Sequence, residues 1–393
     1  MKYAVKSAIL YLGIIITLCG CTMNPSESAG GSDPAGDYAG SLESVYIAVE
    51  PIIKIENEED PAGENSDLAA EAADGEATLL FAGDLLLSSH VLNAYQQAGG
   101  INGVLDEGYR SVIAGADSFI ANQEFPFSDR GTAAADKEYT FRLAPEHVTV
   151  FQDMKLDIVS LANNHALDYG REALADSIAT LDQAGISHIG AGDNLDRAKA
   201  PVIREINGIR VGFLGATRVI PVADWAANRY SSGMLSTYDP AELLGAIAEL
   251  KPQCDYVVVY VHWGIERATE PESYQRTLGQ QYIDAGADLV VGSHPHVLQG
   301  IEYYQGKPIV YSLGNFVFGS SIPETALLQV DIRQEEDSVA AALSLIPGTS
   351  GAGYTKTLTE DGKVRAFYRQ MEQLSPGVSF GGEGAVRTVT QTE

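Results

Sequence analysis

Five short stretches of this chain place metal-ligating and proton-carrying side chains directly after apolar runs. Asp84 follows Phe81-Ala82-Gly83, and Asn122 and Glu124 close Ala121-Asn122-Gln123-Glu124. Asn163, Asn164 and His165 follow Leu161-Ala162, with Asp168 and Gly170 close behind. His262 ends the run from Val257 and leads into Trp263-Gly264-Ile265-Glu266, and Gly292-Ser293-His294-Pro295-His296 follows Leu289 to Val291. Each stretch alone has an ordinary structural explanation. A Gly-Asp is commonly a turn or helix cap, and Asn-Asn tolerates left-handed backbone angles in a loop. His294-Pro295-His296 says more, because two imidazoles one residue apart in a proline-fixed turn can aim at one centre. Five such sets make a shared metal site the chemistry to expect. Of the seven histidines, His90, His147 and His188 have no comparable setting.

The elements that must carry these residues are short strands alternating with helices. Strands are expected at Thr78–Ala82, Ser118–Asn122, Asp157–Ala162, His188–Gly190, Tyr256–His262 and Leu289–Gly292. Amphipathic stretches lie at Arg171–Ala184, Pro240–Leu250 and Glu272–Ala285, which together make an α/β pattern. Two hairpins, turning at Asn207-Gly208 and Gln305-Gly306, add antiparallel pairs, so the sheets are expected to be mixed. Ala326–Ile332 and Val339–Leu345 alternate like further strands, and the Gly-rich stretch near Gly377–Gly384 reads as a flexible tail.

The length, 393 residues, allows one large domain or two ordinary ones. A formal charge of −28, from 25 basic and 53 acidic residues, argues against nucleic acid as a partner, since that affinity rests on Lys and Arg neutralising phosphates. Lys2 and Lys6 precede an apolar run from Ala8 to Ile16, which has the layout of a signal peptide. Leu18-Cys19-Gly20-Cys21 is similar to a bacterial lipobox, in which Cys21 is lipidated and anchors an extracytoplasmic protein to the membrane. With Cys19 removed and Cys21 acylated, Cys254 would be alone and could form no intrachain disulfide. Residues 22–77 hold fourteen acids against the single Lys54, a composition expected of a disordered tether. The expected organisation is thus a signal peptide over 1–20, an acidic tether over 21–77, a catalytic-type domain over 78–320, and C-terminal strands plus a tail over 321–393.

In this order, with Ser312-Leu313-Gly314-Asn315-Phe316-Val317-Phe318 added, the motifs resemble the CapA (PgsA) family of poly-γ-glutamate capsule proteins, within the calcineurin-like metallophosphoesterase superfamily. The resemblance spans Thr78 to Phe318. It implies a four-layer α/β/β/α sandwich with the site at the ends of the central strands. It also implies a role for each residue. Asp84 would bind a first divalent ion and Glu124 would bridge. Asn164, His262 and His294 would bind a second ion, His296 would return to the first, and His165 would be a non-ligand acid. Asn122, Asn163, Asp168 and Asn315 would surround them. Beside these residues, Glu266 and Arg142 read as second-layer and substrate-anion groups. Such donors suit one or two ions of Mn, Fe or Zn. The chain departs from the superfamily pattern at Leu86, where an imidazole is usual, and at Glu124, where Asp is usual. Two functions stay open: a metal-dependent hydrolase or transferase acting on a phosphoester or γ-glutamyl amide of an anionic envelope polymer, or a non-catalytic polymer-binding or scaffold subunit of a membrane synthase complex.

Overall fold

The computed structural model describes residues 75–319, 321–336 and 338–392. The lipobox, with Cys21, and nearly all of the acidic tether lie outside the described residues. Two mixed sheets form the centre. The larger has ten strands among the described residues. Its middle strand, Glu76–Leu85, runs parallel to Ser118–Gln123, which continues through Ile158–Ser160 to Ser187–Ile189. On its other side Glu76–Leu85 pairs antiparallel with Ser321–Gln334 and, at its end, parallel with Asn315–Val317. The smaller sheet has six strands, with Tyr256–His262 between Ile209–Thr217 and Leu289–Ser293, all three parallel. Both anticipated hairpins are present at its edges, Val202–Ile206 with Ile209–Thr217 and Ile301–Tyr304 with Lys307–Val310.

Alternation along the strands sets the layers. In Tyr256–His262 the side chains of Tyr256, Val258 and Tyr260 join a core shared with Leu79, Phe81 and Ile120 of the other sheet. Val257, Val259 and Val261 instead pack outward with Leu243 and Ile247 of the helix Ala241–Leu250 and Tyr282 of the helix Ser273–Asp284. On the far side, Leu80 and Phe119 pack with Val91, Tyr109 and Leu174 from the helices flanking the larger sheet. Three apolar cores thus separate four layers, helix, sheet, sheet, helix, which is the expected architecture. Across the central core the Tyr260 hydroxyl donates to the Ala82 carbonyl at 2.7 Å.

The C-terminal segment differs from expectation. The stretch read as a flexible tail contains the strands Val378–Gly381 and Arg387–Gln391, preceded by a helix over Asp361–Leu374. The helix buries Val364, Phe367, Tyr368 and Met371, and the strands bury Phe380 and Val389, all against the core between the sheets. The helical spacing of those four residues and the alternation of Val378 and Phe380 supply the apolar area that glycine-rich composition obscures.

Candidate functional site

The site is built where the parallel strands end. Register places Asp84 opposite both Asn122 and Asn315, and Ser293 opposite His262. Gly83 makes this possible. A Cβ there would stand 1.8 Å from the Gly314 carbonyl oxygen, and the same oxygen accepts from the Asp84 amide at 2.9 Å. Only glycine lets the 312–316 segment press against this strand and bring Asn315 to the cluster.

Glu124 is at the centre, fully buried. Its Oε1 lies 3.5 Å from His262 Nε2, and its Oε2 lies 3.9 Å from His296 Nε2. On the first side, His262 Nε2 stands 2.9 Å from Asn164 Oδ1. On the second, His296 Nδ1 is 3.3 Å from Asp84 Oδ2 and 2.7 Å from Asn315 Oδ1. Two sets of ligand atoms, from Asp84, Glu124 and His262 and from Glu124, His294 and His296, each lie within 4.8 Å of one another. Glu124 belongs to both. Leu86 is buried in the apolar cluster under the flanking helices and offers no ligand.

Asn122 holds the carboxylates from behind. Its amide nitrogen donates to Asp84 Oδ1 at 2.8 Å and Glu124 Oε1 at 3.2 Å, and lies 3.2 Å from His262 Nδ1. Its oxygen accepts from Asn163 Nδ2 at 3.0 Å. Asn163 in turn donates to the Gln123 carbonyl and accepts the His165 backbone amide. The expected Asn-Asn-His stretch is therefore tied residue by residue to the Asp84 and Glu124 carboxylates.

Both histidines of the His-Pro-His turn have left-handed backbone, with φ of 99° at His294 and 59° at His296. This conformation is strained for a non-glycine residue and persists only where its surroundings hold it. The surroundings here are the His294 amide donating to Asp84 Oδ2 at 3.2 Å and the Arg267 amide donating to the Pro295 carbonyl at 2.7 Å.

His165 stands apart from the ligand atoms. Its Nδ1 is 2.7 Å from Asp168 Oδ2 and 3.0 Å from Lys137 Nζ; with the proton on Nδ1 it donates to the carboxylate. The Nε2 has no hydrogen-bond partner among the described residues. The Phe141 ring packs on the imidazole, centroids 4.6 Å apart. Sequence reasoning missed Lys137, whose ammonium pairs with Asp168 Oδ1 and donates to the Asn164 carbonyl at 2.6 Å. Lys137 sits in Asp136-Lys137-Glu138, which has the look of a solvated charge run, and no local signal marks it as a buried partner. Two expected residues stay outside the network. Arg142 bonds the Arg130 and Gly131 carbonyls and lies over the Tyr169 ring, and Glu266 is exposed on the loop after His262.

Burial and charge divide the titrating groups. Burial raises Glu124 well above the usual carboxylate range, with repulsion from Asp84 adding to it. Burial holds His262 far below the ordinary imidazole value and, with His296 beside it, brings His294 down to about 4. His296 goes the other way. Burial alone would lower it, but Glu124, Asp84 and the hydrogen bond to Asn315 overcome that and push it up to about 10. Burial also lowers His165 and Lys137, each opposed by Asp168.

Two buried atoms in the cluster, Glu124 Oε2 and His294 Nδ1, have no hydrogen-bond partner among the described residues. Buried acceptors are rarely left so, and both are of the type and position that a divalent cation would satisfy. The donor set therefore fits such an ion.

A four-layer α/β protein with clustered carboxylate, imidazole and amide donors at its strand ends is the class that fold and site define. Residues 78–320 match the model of the family described as bacterial capsule synthesis protein PGA_cap, and the chain belongs to that family. It is 35% identical over 259 residues to the PGA biosynthesis protein CapA of Bacillus subtilis, covering 65% of this chain and 67% of the relative. It is 33% identical over 307 residues to the capsule biosynthesis protein CapA of Bacillus anthracis, covering 75% and 72%. Among solved structures, the NAD nucleotidase of Haemophilus influenzae is similar with a TM-score of 0.42 and 12% identity, over 76% of this chain and 63% of that one.

Proposed function

We propose that this chain acts in the synthesis, export or anchoring of a poly-γ-glutamate capsule, as an ion-dependent hydrolase or transferase working on an amide or phosphoester of that polymer or its precursor. The observation that carries the reading is Glu124, whose two oxygens face two different histidine-containing sides of one buried cluster, its Oε2 and His294 Nδ1 having no hydrogen-bond partner among the described residues. Asp84, Glu124, Asn164, His262, His294 and His296 would hold one or two ions of Mn, Fe or Zn. When bound, such an ion polarises a carbonyl or phosphoryl oxygen and makes water a better nucleophile near neutral pH.

The chain's own residues supply the rest. Asn122 fixes both carboxylates, so they need no rearrangement when charge develops beside them. His165, anchored through Nδ1 to Asp168, presents Nε2 as the atom that gives a proton to a departing nitrogen or oxygen. Asp168 stabilises the doubly protonated imidazole that precedes this transfer, and Lys137 holds Asp168 in place. Phe141 and Phe318 flank His165 and His296 with apolar surface, which keeps bulk water from those rings.

The lipobox supports placement outside the cytoplasm, anchored by lipidated Cys21, next to membrane subunits of a synthase. Cys21→Ser is expected to release the chain from the membrane fraction. The test of the site is metal content by elemental analysis with and without His294→Ala. The expected result is one or two transition-metal ions per chain, lost in the variant. If the wild type takes up none when supplied with Mn, Fe and Zn, the buried Leu86 in place of an imidazole becomes the telling residue, and a non-catalytic, polymer-binding scaffold is the better reading.

A further inference from the structure

Arg218 stands one residue beyond the strand Ile209–Thr217, and its backbone amide donates to the His262 carbonyl at 2.8 Å. Its guanidinium lies 4.1 Å from the centroid of the Tyr238 ring and 5.4 Å from that of Tyr274. Tyr274 is itself fixed by accepting the Gly264 amide at 2.7 Å, so the clamp is built on the two residues after His262. The side-chain hydrogen bond of Arg218 among the described residues runs from Nη1 to the Thr237 carbonyl at 3.2 Å. No carboxylate among the described residues lies within 4.0 Å of it, in a chain where acids outnumber bases 53 to 25. Arg130, Arg171, Arg204, Arg276 and Arg333 have such a partner, while Arg142 and Arg387, which also lie over tyrosine rings, do not; what sets Arg218 apart from those two is its place at the strand end beside His262. Tyr238, 61% exposed, covers one side of the guanidinium and opens the clamp to solvent.

We infer that Arg218 is a carboxylate-reading residue, held flat by Tyr238 and Tyr274 beside the ligand-bearing strand ends, and that it grips a side carboxylate of the polymer close to the amide or phosphoester at the cluster. This rests on the functional reading above and deepens it by naming how the polymer is recognised. A planar fork that is stacked and unpaired loses little freedom on forming a bidentate pair, and it matches carboxylate geometry in a way that an ammonium does not. The spare donors Nε and Nη2 are the pair such a contact uses.

The test is calorimetric binding of a defined poly-γ-glutamate oligomer to the full chain in detergent, in EDTA, with the neutral poly-γ-glutamine counterpart and polyphosphate as comparisons. Wild type is expected to bind the glutamate oligomer in preference to both. Arg218→Met should weaken it by about tenfold or more, with Arg218→Lys failing to restore it. Tyr238→Ala, at an exposed site, should weaken it by a smaller factor with Arg218 retained, which guards against a folding defect in the first variant. Unchanged affinity in Arg218→Met, or equal affinity for polyphosphate, overturns the assignment while leaving polymer binding standing. If wild type binds no oligomer either in EDTA or with saturating Mn, the polymer reading itself fails and takes the assignment with it.

Discussion

Asp168 concentrates the chemistry of the site at the residue scale. It is fully buried, and it accepts from His165, the Phe141 amide and Lys137. Lys137 is nearly as enclosed, with 13% of its side chain exposed. Removing one member of a buried pair leaves an uncompensated charge, a change that typically costs about 3–5 kcal/mol. Lys137→Met is therefore expected to lower unfolding free energy by about that amount, measured by urea denaturation. Lys137→Arg, which keeps the charge, should lose much less. A loss below about 1 kcal/mol in the methionine variant, the range of solvent-exposed pairs, would show that water reaches Asp168 and that Lys137 does not fix it. The second measurement separates packing from positioning: Asn164 takes a hydrogen bond on its carbonyl from the same ammonium, so Mn affinity should fall in Lys137→Met and recover in Lys137→Arg.

Strands, rather than single residues, decide whether the ligands meet, and the tightest junction is the passage of the 312–316 segment across Gly83. Adding one methyl group would require the backbones to separate, because the obstacle is a carbonyl oxygen and not a movable side-chain end. Gly83→Ala is expected to reduce metal uptake sharply while retaining helix and strand content by circular dichroism; wild-type uptake in that variant would mean the junction is loose. At this scale the sequence was highly legible for the middle of the chain. Tyr256–His262 is a run of apolar and aromatic residues closed by a histidine, and it is the strand observed, residue for residue. The ligand candidates were legible because each ends such a run. The packing partners of those ligands were not. Asn122 was visible as a neighbour of Glu124, but its position behind both Asp84 and Glu124 depends on a register between strands 38 residues apart. Lys137 enters from a loop with no regular period, and its partner Asp168 lies 31 residues away. The C-terminal helix and strands were obscured because Gly377, Gly382 and Gly384 signal turns, while the few apolar residues between them, Val378 and Phe380, do the burying.

For the molecule as a whole, the site couples stability to both pH and metal. In the metal-free protein His296 titrates near 10 in the folded chain and near 6.5 when unfolded. Folding therefore favours its protonated form. That contribution is fully present below about pH 6.5 and is lost as pH rises towards 10, with a slope of at most about 1.4 kcal/mol per pH unit. In EDTA, the melting temperature is expected to fall between pH 7 and pH 9, and the fall should be largely abolished in His296→Asn. This comparison matters because a chain of formal charge −28 could lose stability with pH through general repulsion, and that effect would persist in the variant. A divalent ion replaces the proton, so its uptake should release protons and become tighter as pH rises. Saturating Mn is thus expected to raise the melting temperature more at pH 8.5 than at pH 6.5. An equal rise at both would mean that the ion does not displace the proton held by His296, and would put the bound metal somewhere other than this cluster.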